Sequence, residues 1–495
     1  MLFLDVRKIV SILFILFYFA IVANAQTFDF NANCQHAYQS IFKLKIDEGL
    51  LILEKEKKEN PKNQLVYFIE NYADFLKLYI NDNNTLYDNL LPKFSARIDK
   101  LKNGNKNSPF YLYTQADIHL QSALCKIKFG DNLSAVFEVK KAFTLLQENQ
   151  QKFPTFKPTI KSLGLLHTIF GAIPDNYKFG AKLLGLKGSI DQGLKELNSV
   201  IQDSTFQFKE EAIIEYTLLL LHLQKNKTAA WNIINKAEIP LQDNLLNHFI
   251  TATVASHTGK NDEVISILSK KPTDKSFYAF PLLDFILAKA KLNKLDSDAA
   301  AYIQKFLSNN KGRSYQKEAY QKLAWFYLVN DKPDLYKKYM QQILKVNAAP
   351  TDEDKAAQKE ANQNYVPNAN LLKARLLCDG AYYAKALEII NTIQPNKLTR
   401  SRDQVEYYYR KARIFDEQNN DTEAIKFYQQ TIEKGAAYDY YFAANAALKL
   451  GNIFEQQKKK SNAIQYYKKA IDLEKDEYTN SINAESKAGL NRLGN

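Results

Sequence analysis

Small residues recur at a fixed spacing near the C-terminus, and this periodicity restricts the possible folds more than any other feature of the chain. Three small residues lie 38 and 39 residues apart, and each has an alanine twelve residues after it. The pairs are Ala374 with Ala386, Ala412 with Ala424, and Gly451 with Ala463. An upstream series, Ala123, Ala135 and Ala142, keeps the same twelve-residue interval. A fixed period of this length predicts a row of similar structural units that stack on one another.

The residues around these positions resemble the tetratricopeptide repeat, most strongly over residues 368–475. In the last unit, Gly451 and Phe454 fall in the first helix, and Ala463, Tyr467 and Ala470 follow in the second. The resemblance implies that the small residues lie where the two helices of a unit cross. It also implies that adjacent units bury a shared core. We therefore predict an all-α fold, a right-handed α-α solenoid of tetratricopeptide-like helical hairpins.

Turn-forming residues are scarce, with 16 Gly and 13 Pro among 495 residues, which favours long helices over a large β structure. We predict a degenerate solenoid of the same kind over residues 26–345 and a C-terminal repeat array over residues 370–495. The stretch between them, residues 346–369, is polar and is interpreted as a linker or an exposed helix. Thr351 or Asp352 would cap such a helix.

A central region, residues 160–225, resembles the eukaryotic inclusion-body-clearance family and its tetratricopeptide relatives of the outer-membrane type. The residues that carry this resemblance are glycines and leucines around Gly164, Gly185, Gly188 and Gly193. We expect the last three glycines to let a helix end, turn and restart within a short connection. The apolar run at residues 216–221 is expected to be a buried inner helix. The resemblance again implies a helical adaptor.

The first residues have the pattern of a secretory signal peptide. Arg7 and Lys8 precede an apolar run over Ile9–Val22, and Ala23–Ala25 supplies a cleavage site with small residues. The sequence therefore predicts removal of residues 1–25 and a periplasmic or secreted protein. An uncleaved signal anchor is the alternative. No later stretch combines 18 apolar residues without charge, so we expect no integral membrane segment after cleavage.

The net charge and the reactive residue types of the chain limit the classes of function that it can have. The net charge of +13 would favour acidic proteins or anionic polymers, while export argues against nucleic acid as a partner. Cys34, Cys125 and Cys378 are far apart and form no metal-ligand motif, although one disulfide stays possible. The six histidines have no metal-ligand spacing, and no nucleophile elbow or phosphate-binding loop occurs. We therefore predict no enzyme, no catalytic residue, no metal and no cofactor.

The predicted function is that of an exported scaffold that binds a protein or peptide on its concave surface. A glycan- or nutrient-binding accessory protein of the cell envelope is the alternative, and an enzyme with an unrecognised site is the second alternative. Clustered tyrosines, such as those at positions 407–409, supply both core and surface, since one helix stripe cannot bury three consecutive residues. The resemblance places Tyr408, Tyr428 and Tyr467 in the core. Carrying over the groove positions of the family gives the predicted groove: Leu371, Arg375, Tyr409, Arg413, Asp416, Leu448, Asn452 and Glu455.

Overall fold

A computed structural model describes residues 27–237, 239–347, 351–473 and 479–494 of the chain. The predicted signal peptide, residues 1–25, lies outside the described residues. Residues 348–350 of the predicted linker also lie outside them.

The described residues form α-helices joined by short connections, with one isolated β-bridge between Thr27 and Asn63, so the all-α prediction is confirmed. The helices, numbered in chain order, are α1 (Ala32–Phe42), α2 (Ile46–Glu59), α3 (Leu65–Asn81), α4 (Asn84–Leu101), α5 (Pro109–Phe129), α6 (Asn132–Lys152), α7 (Lys157–Gly171), α8 (Asp175–Leu183), α9 (Ile190–Ile201), α10 (Lys209–His222), α11 (Lys227–Lys236), α12 (Leu245–His257), α13 (Asn261–Ser269), α14 (Leu282–Lys294), α15 (Ala299–Asn309), α16 (Gln316–Val329), α17 (Pro333–Lys345), α18 (Asp352–Asn362), α19 (Ala369–Asp379), α20 (Tyr383–Asn391), α21 (Ser401–Glu417), α22 (Asp421–Gly435), α23 (Phe442–Gln456), α24 (Lys460–Asp472) and α25 (Thr479–Arg492). Across this described part of the chain, no helix is both long enough and apolar enough to cross a membrane.

The chain divides into two compact units. Unit 1 contains the described residues up to Thr258, together with Ser266–Leu283 and Asn310–Arg313. Unit 2 contains Gly259–Ile265, Asp284–Asn309 and the described residues from Ser314 onward. The predicted boundary at residues 346–369 therefore falls inside unit 2.

Unit 2 is a series of helical hairpins, α16/α17, α19/α20, α21/α22 and α23/α24, whose two helices pack on each other. The six small residues that set the sequence period are all buried in the last three of these hairpins, as predicted. In the last hairpin, the Tyr467 ring lies between two glycines. A Cβ atom added to Gly451 would come within 2.5 Å of this ring on one side, and one added to Gly489 of α25 would do the same on the other. Glycine at both positions leaves the space that the ring fills.

Helix α18 occupies most of the predicted linker, and its packing corrects that interpretation. Thr351 caps the helix, as predicted, by accepting a hydrogen bond from the Asp354 N–H at 3.0 Å. Asp354 is buried and accepts hydrogen bonds from the backbone N–H groups of Tyr315 at 2.7 Å and Glu318 at 3.1 Å. These two groups belong to the N-terminus of α16, where unpaired donors need a partner. The polar residues of this segment therefore join α18 to α16, and α18 is neither a linker nor an exposed arm.

Unit 1 contains hairpins of the same type, including α1/α2, α5/α6 and α10/α11. The upstream alanines, Ala123, Ala135 and Ala142, are buried in α5/α6, as their spacing predicts. Helices α7 and α9 cross closely, since a Cβ atom on Gly164 would lie 2.9 Å from the Gly193 carbonyl oxygen. The region predicted to be a buried helix forms part of α10, where three consecutive leucines at 219–221 are buried.

The glycines of the central region divide between two roles. Gly185 follows α8 with a positive φ of 78°, and Gly188 lies in the same connection with its Cα against the backbone of His167. Gly185 therefore ends its helix as predicted, whereas Gly188 lets the connection pass close to the α7 backbone. Gly193, by contrast, lies inside α9, where it permits the close crossing with α7.

A buried carboxylate fixes the first described residues of unit 1. The Glu56 side chain is fully buried and accepts hydrogen bonds from four asparagine side chains. The donors are Asn31 at 2.7 Å, Asn33 at 2.9 Å, Asn60 at 3.1 Å and Asn63 at 2.8 Å. Burial by itself raises the pKa of Glu56, but these four hydrogen bonds outweigh it and hold the pKa below its usual value. The cluster ties the segment before α1 to the end of α2.

We expect Glu56→Gln to destabilise unit 1 by about 1–3 kcal/mol at neutral pH, because an amide offers fewer acceptor sites to the four donors. Since the folded state lowers the Glu56 pKa, its contribution is present above the unfolded-state pKa and is lost as the pH falls through the folded-state pKa. Urea unfolding at several pH values measures this. The gap between the native protein and the variant should close in acid, and a gap that does not depend on pH would contradict the assignment.

We expect Gly451→Leu to unfold the last hairpins, at a cost of about 3 kcal/mol or more, because Gly489 prevents the Tyr467 ring from moving away. Thermal melting followed by circular dichroism, with limited trypsin digestion, measures the loss. Gly180→Leu is the matched control, since Gly180 is also helical and a Cβ atom there meets no neighbour within 4 Å. Unchanged melting of Gly451→Leu would refute this register of the repeat.

Candidate functional site

Three residues of the predicted groove lie in the core. Leu371, Tyr409 and Leu448 each precede the small residue of their repeat by three positions, and their exposed fractions are 0, 1 and 3 %. The first helices of successive hairpins contact one another and cover this position. The Tyr409 ring, for example, lies 5.3 Å from that of Phe442 on the next first helix. The expectation that these three side chains line a groove is therefore corrected.

The residue after the small one stays near the surface in each repeat. Arg375 and Arg413 occupy this position with side-chain exposures of 31 and 24 %. Each has an acidic neighbour one turn later on its own helix. The Arg413 Nη2 atom lies 3.0 Å from an oxygen of Glu417, whereas the Arg375 Nε atom lies 3.7 Å from Asp379. The Arg375 pair is thus the looser of the two.

The polar residues of the predicted groove bind tyrosines of the second helix. The Tyr428 hydroxyl donates to Asp416 at 2.8 Å. The Tyr467 hydroxyl lies within hydrogen-bond distance of two side chains of the first helix, Asn452 at 2.8 Å and the Glu455 carboxylate. Tyr428 and Tyr467 are fully buried, as predicted, whereas Tyr408 is only partly buried. Asp416, Asn452 and Glu455 therefore hold the two helices of a hairpin together.

A cavity of about 70 Å³ opens among the first helices of unit 2, and we call it the arginine pocket. Its walls come from α16, α18, α19, α21 and the start of α23, with the turn after α18. The lining residues are Trp325, Ala356, Lys359, Glu360, Gln363, Tyr365, Pro367, Leu372, Arg375, Arg402, Glu406, Arg410, Tyr441 and Phe442. Four cationic and two anionic side chains give this lining a net charge of +2.

Both carboxylates of the pocket are engaged by neighbouring donors. Glu360 accepts hydrogen bonds from Gln321 at 2.6 Å and from the Trp325 indole N–H at 2.8 Å. Glu406 accepts two from the Arg410 guanidinium, at 2.9 and 2.7 Å. These bonds fix the Trp325 ring and pair Arg410 with Glu406. The two carboxylates therefore serve to build the pocket.

The other arginines of the pocket lie over aromatic rings. The Arg375 guanidinium is 4.5 Å from the centre of the Trp325 ring. The Arg402 guanidinium lies 5.2 Å from the Tyr365 ring and 5.5 Å from the Phe442 ring. Stacking on a ring holds a guanidinium in a defined orientation and leaves N–H donors at its edge. Such donors bind planar anions such as carboxylates in pairs.

Most of this pocket was not predicted. Of the predicted groove, only Arg375 lines it, because Trp325, Glu360 and Tyr365 come from segments interpreted as a degenerate repeat and a linker. The sequence did contain one signal for the pocket, namely the aromatic and basic residues around Trp325 and Tyr365. The repeat spacing carries no information about this arrangement, since it marks helix crossings alone.

Residues 405–433 and 444–477 match the family model for the tetratricopeptide repeat. These ranges correspond to hairpins α21/α22 and α23/α24, so this part of the chain consists of tetratricopeptide repeats, as the resemblance implied. The resemblance proposed for residues 160–225 stays a prediction. No curated protein matches the chain in sequence.

Three solved structures of helical-repeat proteins are similar to the chain at low identity. A monomeric mutant of IFIT1 with m7Gppp-AAAA is 16 % identical, with 86 % of this chain and 91 % of that chain covered and a TM-score of 0.28. The TPR domain of P58(IPK) is 15 % identical, with 86 and 98 % covered and a TM-score of 0.22. Yeast Tom70 is 13 % identical, with 86 and 96 % covered and a TM-score of 0.23.

Proposed function

We propose that this protein is a non-catalytic scaffold that binds a segment of another protein on the first helices of unit 2, at the arginine pocket. The observation that carries the proposal is the pocket itself, in which side chains from successive first helices converge on one cavity. Helical repeats present an extended surface along their length, and a cavity within it supplies an anchoring point for one side chain of a partner.

The aromatic residues of the pocket favour a protein partner over a sugar. A sugar ring binds by stacking on an open aromatic face, but the Trp325 ring has two cations over it. The Lys322 Nζ atom lies 3.8 Å from its centre, and the Arg375 guanidinium lies 4.5 Å from it. The Tyr365 ring likewise has Arg400 at 4.7 Å and Arg402 at 5.2 Å. These faces are therefore used to position cations.

The arrangement also supports a binding role over catalysis. A carboxyl group that acts as a general acid or base must be able to exchange a proton with a substrate. Glu360 and Glu406 instead accept hydrogen bonds from Trp325, Gln321 and Arg410. The function proposed for the pocket is therefore recognition.

We expect a photoreactive amino acid placed at Gln363, an exposed residue of the pocket, to cross-link the partner in the native cell as one discrete adduct. The matched control carries the same group at Thr422, which is exposed on the second helix α22. Adducts are identified by mass spectrometry. The same adducts from both positions, or none from Gln363 together with saturable sugar binding, would count against the scaffold proposal.

We also propose that the protein is exported after cleavage near Ala25, on the strength of the basic residues, apolar run and small residues at positions 7–25. N-terminal sequencing of the protein recovered from cells should read from Gln26. A chain that retains Met1 and fractionates with membranes would instead support the signal anchor.

A further inference from the structure

We propose that another cavity, which lies in unit 1, binds a primary ammonium group carried on an aliphatic chain. The cavity has a volume of about 280 Å³, and we call it the glutamate pocket. It lies between the end of α1, the start of α10 and the cap of α12. The lining residues are Tyr38, Gln39, Phe42, Lys43, Gln207, Phe208, Glu210, Glu211 and Asn244. All of them belong to unit 1, so the inference goes beyond the function proposed for the arginine pocket.

Each of the two carboxylates in this pocket is bound to the protein through one oxygen. The Glu210 Oε1 atom accepts a hydrogen bond from the Asn247 side chain. The Glu211 Oε2 atom accepts one from the Tyr38 hydroxyl at 3.2 Å and one from the Lys161 ammonium at 3.0 Å. Within the described part of the chain, the second oxygen of each carboxylate accepts no hydrogen bond. These two oxygens can therefore accept N–H groups of a ligand.

The buried groups next to Glu211 contain more carboxylates than cations. Lys161 is buried and lies 3.0 Å from both Glu211 and Glu215. Asp117 is a third carboxylate that interacts electrostatically with Lys161. Burial raises the pKa of Asp117 and the pKa of Glu215; Lys161 opposes this, whereas Glu211 adds to it. Three carboxylates thus share Lys161, and a further positive charge beside Glu211 would stabilise their ionised forms.

Lys43 is the cation of the lining, and its position leaves the pocket negative. Glu210 and Glu211 against Lys43 give the lining a net charge of −1, although the whole chain carries +13. The Lys43 side chain is 39 % exposed, and its ammonium lies 3.8 Å from Asp243. Burial raises the pKa of Glu210, and Lys43 lowers it by a smaller amount. Lys43 thus neutralises Glu210 only in part.

Aromatic rings supply an apolar wall of the pocket. Tyr38, Phe42 and Phe208 are buried, and the centres of the Tyr38 and Phe208 rings lie 4.9 Å apart in an edge-to-face contact. The Phe42 ring stacks on Tyr38 at 6.1 Å. Such rings pack against methylene groups and attract a cation that lies over their faces. The combination with carboxylate acceptors favours a primary ammonium group, because a quaternary one has no N–H to donate.

The size of the pocket limits the ligand to a single chain. Pockets for small molecules have volumes of about 300–1,000 Å³, so a volume of about 280 Å³ admits one short aliphatic chain and no folded element. A lysine side chain and a free alkylamine both present an ammonium group in this form. The ligand class is therefore the alkylammonium group, whether a lysine side chain or a free amine supplies it.

The first experiment titrates the full mature chain with pentylamine and pentanol, which differ in charge but not in length. Binding is followed by saturation-transfer NMR at neutral pH and about 0.15 M salt, where long-range attraction is screened. We expect saturable binding of pentylamine, because its ammonium group can donate to the second oxygens of Glu210 and Glu211. Pentanol and tetramethylammonium should each bind at least about tenfold more weakly, since the former lacks the charge and the latter lacks N–H donors.

Two further probes identify the source of the amine. Cadaverine represents a free amine, and a capped Gly-Lys-Gly peptide represents a lysine side chain of a protein. At least one of them should displace pentylamine, and the tighter of the two shows which source the pocket prefers. Failure of both to displace pentylamine would overturn the assignment of the ligand class.

Substitutions at the pocket separate this binding from general attraction. Glu210→Gln should weaken pentylamine binding by about tenfold, as expected for loss of a charge-assisted hydrogen bond. Lys43→Gln should strengthen it by about threefold, because a competing cation is removed. Asp191→Asn is the matched control and should have no effect, since Asp191 is an exposed acid in the first turn of another helix of unit 1, α9. Glu211 stays unchanged because it holds Lys161, and circular dichroism confirms that each variant is folded.

Three further results would overturn the inference. Equal binding of pentanol and pentylamine would make the pocket a purely apolar one. Equal losses in Glu210→Gln and Asp191→Asn would make the attraction non-specific. Tighter binding of tetramethylammonium than of pentylamine would exclude a primary ammonium group. None of these results bears on the proposed function, which the cross-link at Gln363 tests separately in unit 2.

Discussion

The close approach of helices at small residues is the constraint on which the rest of the structure depends. Tyr467 shows it most clearly, because its ring fills the space that Gly451 and Gly489 leave between three helices. With the ring in place, its hydroxyl reaches Asn452 and Glu455 on the first helix. The preceding hairpin repeats this arrangement with Tyr428 and Asp416. One small residue per helix thus sets both the packing and the buried hydrogen bonds of a hairpin.

This arrangement determines which side chains are left for a partner. The position three residues before the small one is covered by the neighbouring first helix, and the position four residues after it binds a tyrosine in the last two repeats. The position after the small residue stays accessible, as Arg375 shows. A pocket then forms where α18 departs from the regular pattern, because Glu360 holds the Trp325 ring under Arg375. The irregular helix and the candidate site therefore have a common origin.

The sequence was sufficient to predict the helical hairpins but not the residues of the candidate site, and the reason is physical. Helix crossings leave a local signature, since Ala412 and Ala424 must be small whatever the partner helix is. Spacing fixes where a side chain lies around its own helix but not which neighbouring helix covers it, so Tyr409 was assigned to the groove although its exposed fraction is 1 %. The pocket joins Trp325 to Arg402 across three helical elements, and no local pattern links two such distant residues. The prediction for helix α18 was wrong for a related reason. In the sequence, Asp354 is typical of a surface residue, but in the structure it is buried and caps another helix.

Cations in the described residues are held in different ways. In unit 1, Lys161 is 2 % exposed and is held between Glu211 and Glu215, both at 3.0 Å. In unit 2, Arg410 has two hydrogen bonds to Glu406. A buried charge that lacks such a match costs several kcal/mol, which is why folded chains supply one. Arg375 follows a different pattern, since its closest contacts are an indole ring and a carboxylate 3.7 Å away. A ring orients a guanidinium without neutralising it, so Arg375 keeps its positive charge at the edge of the cavity.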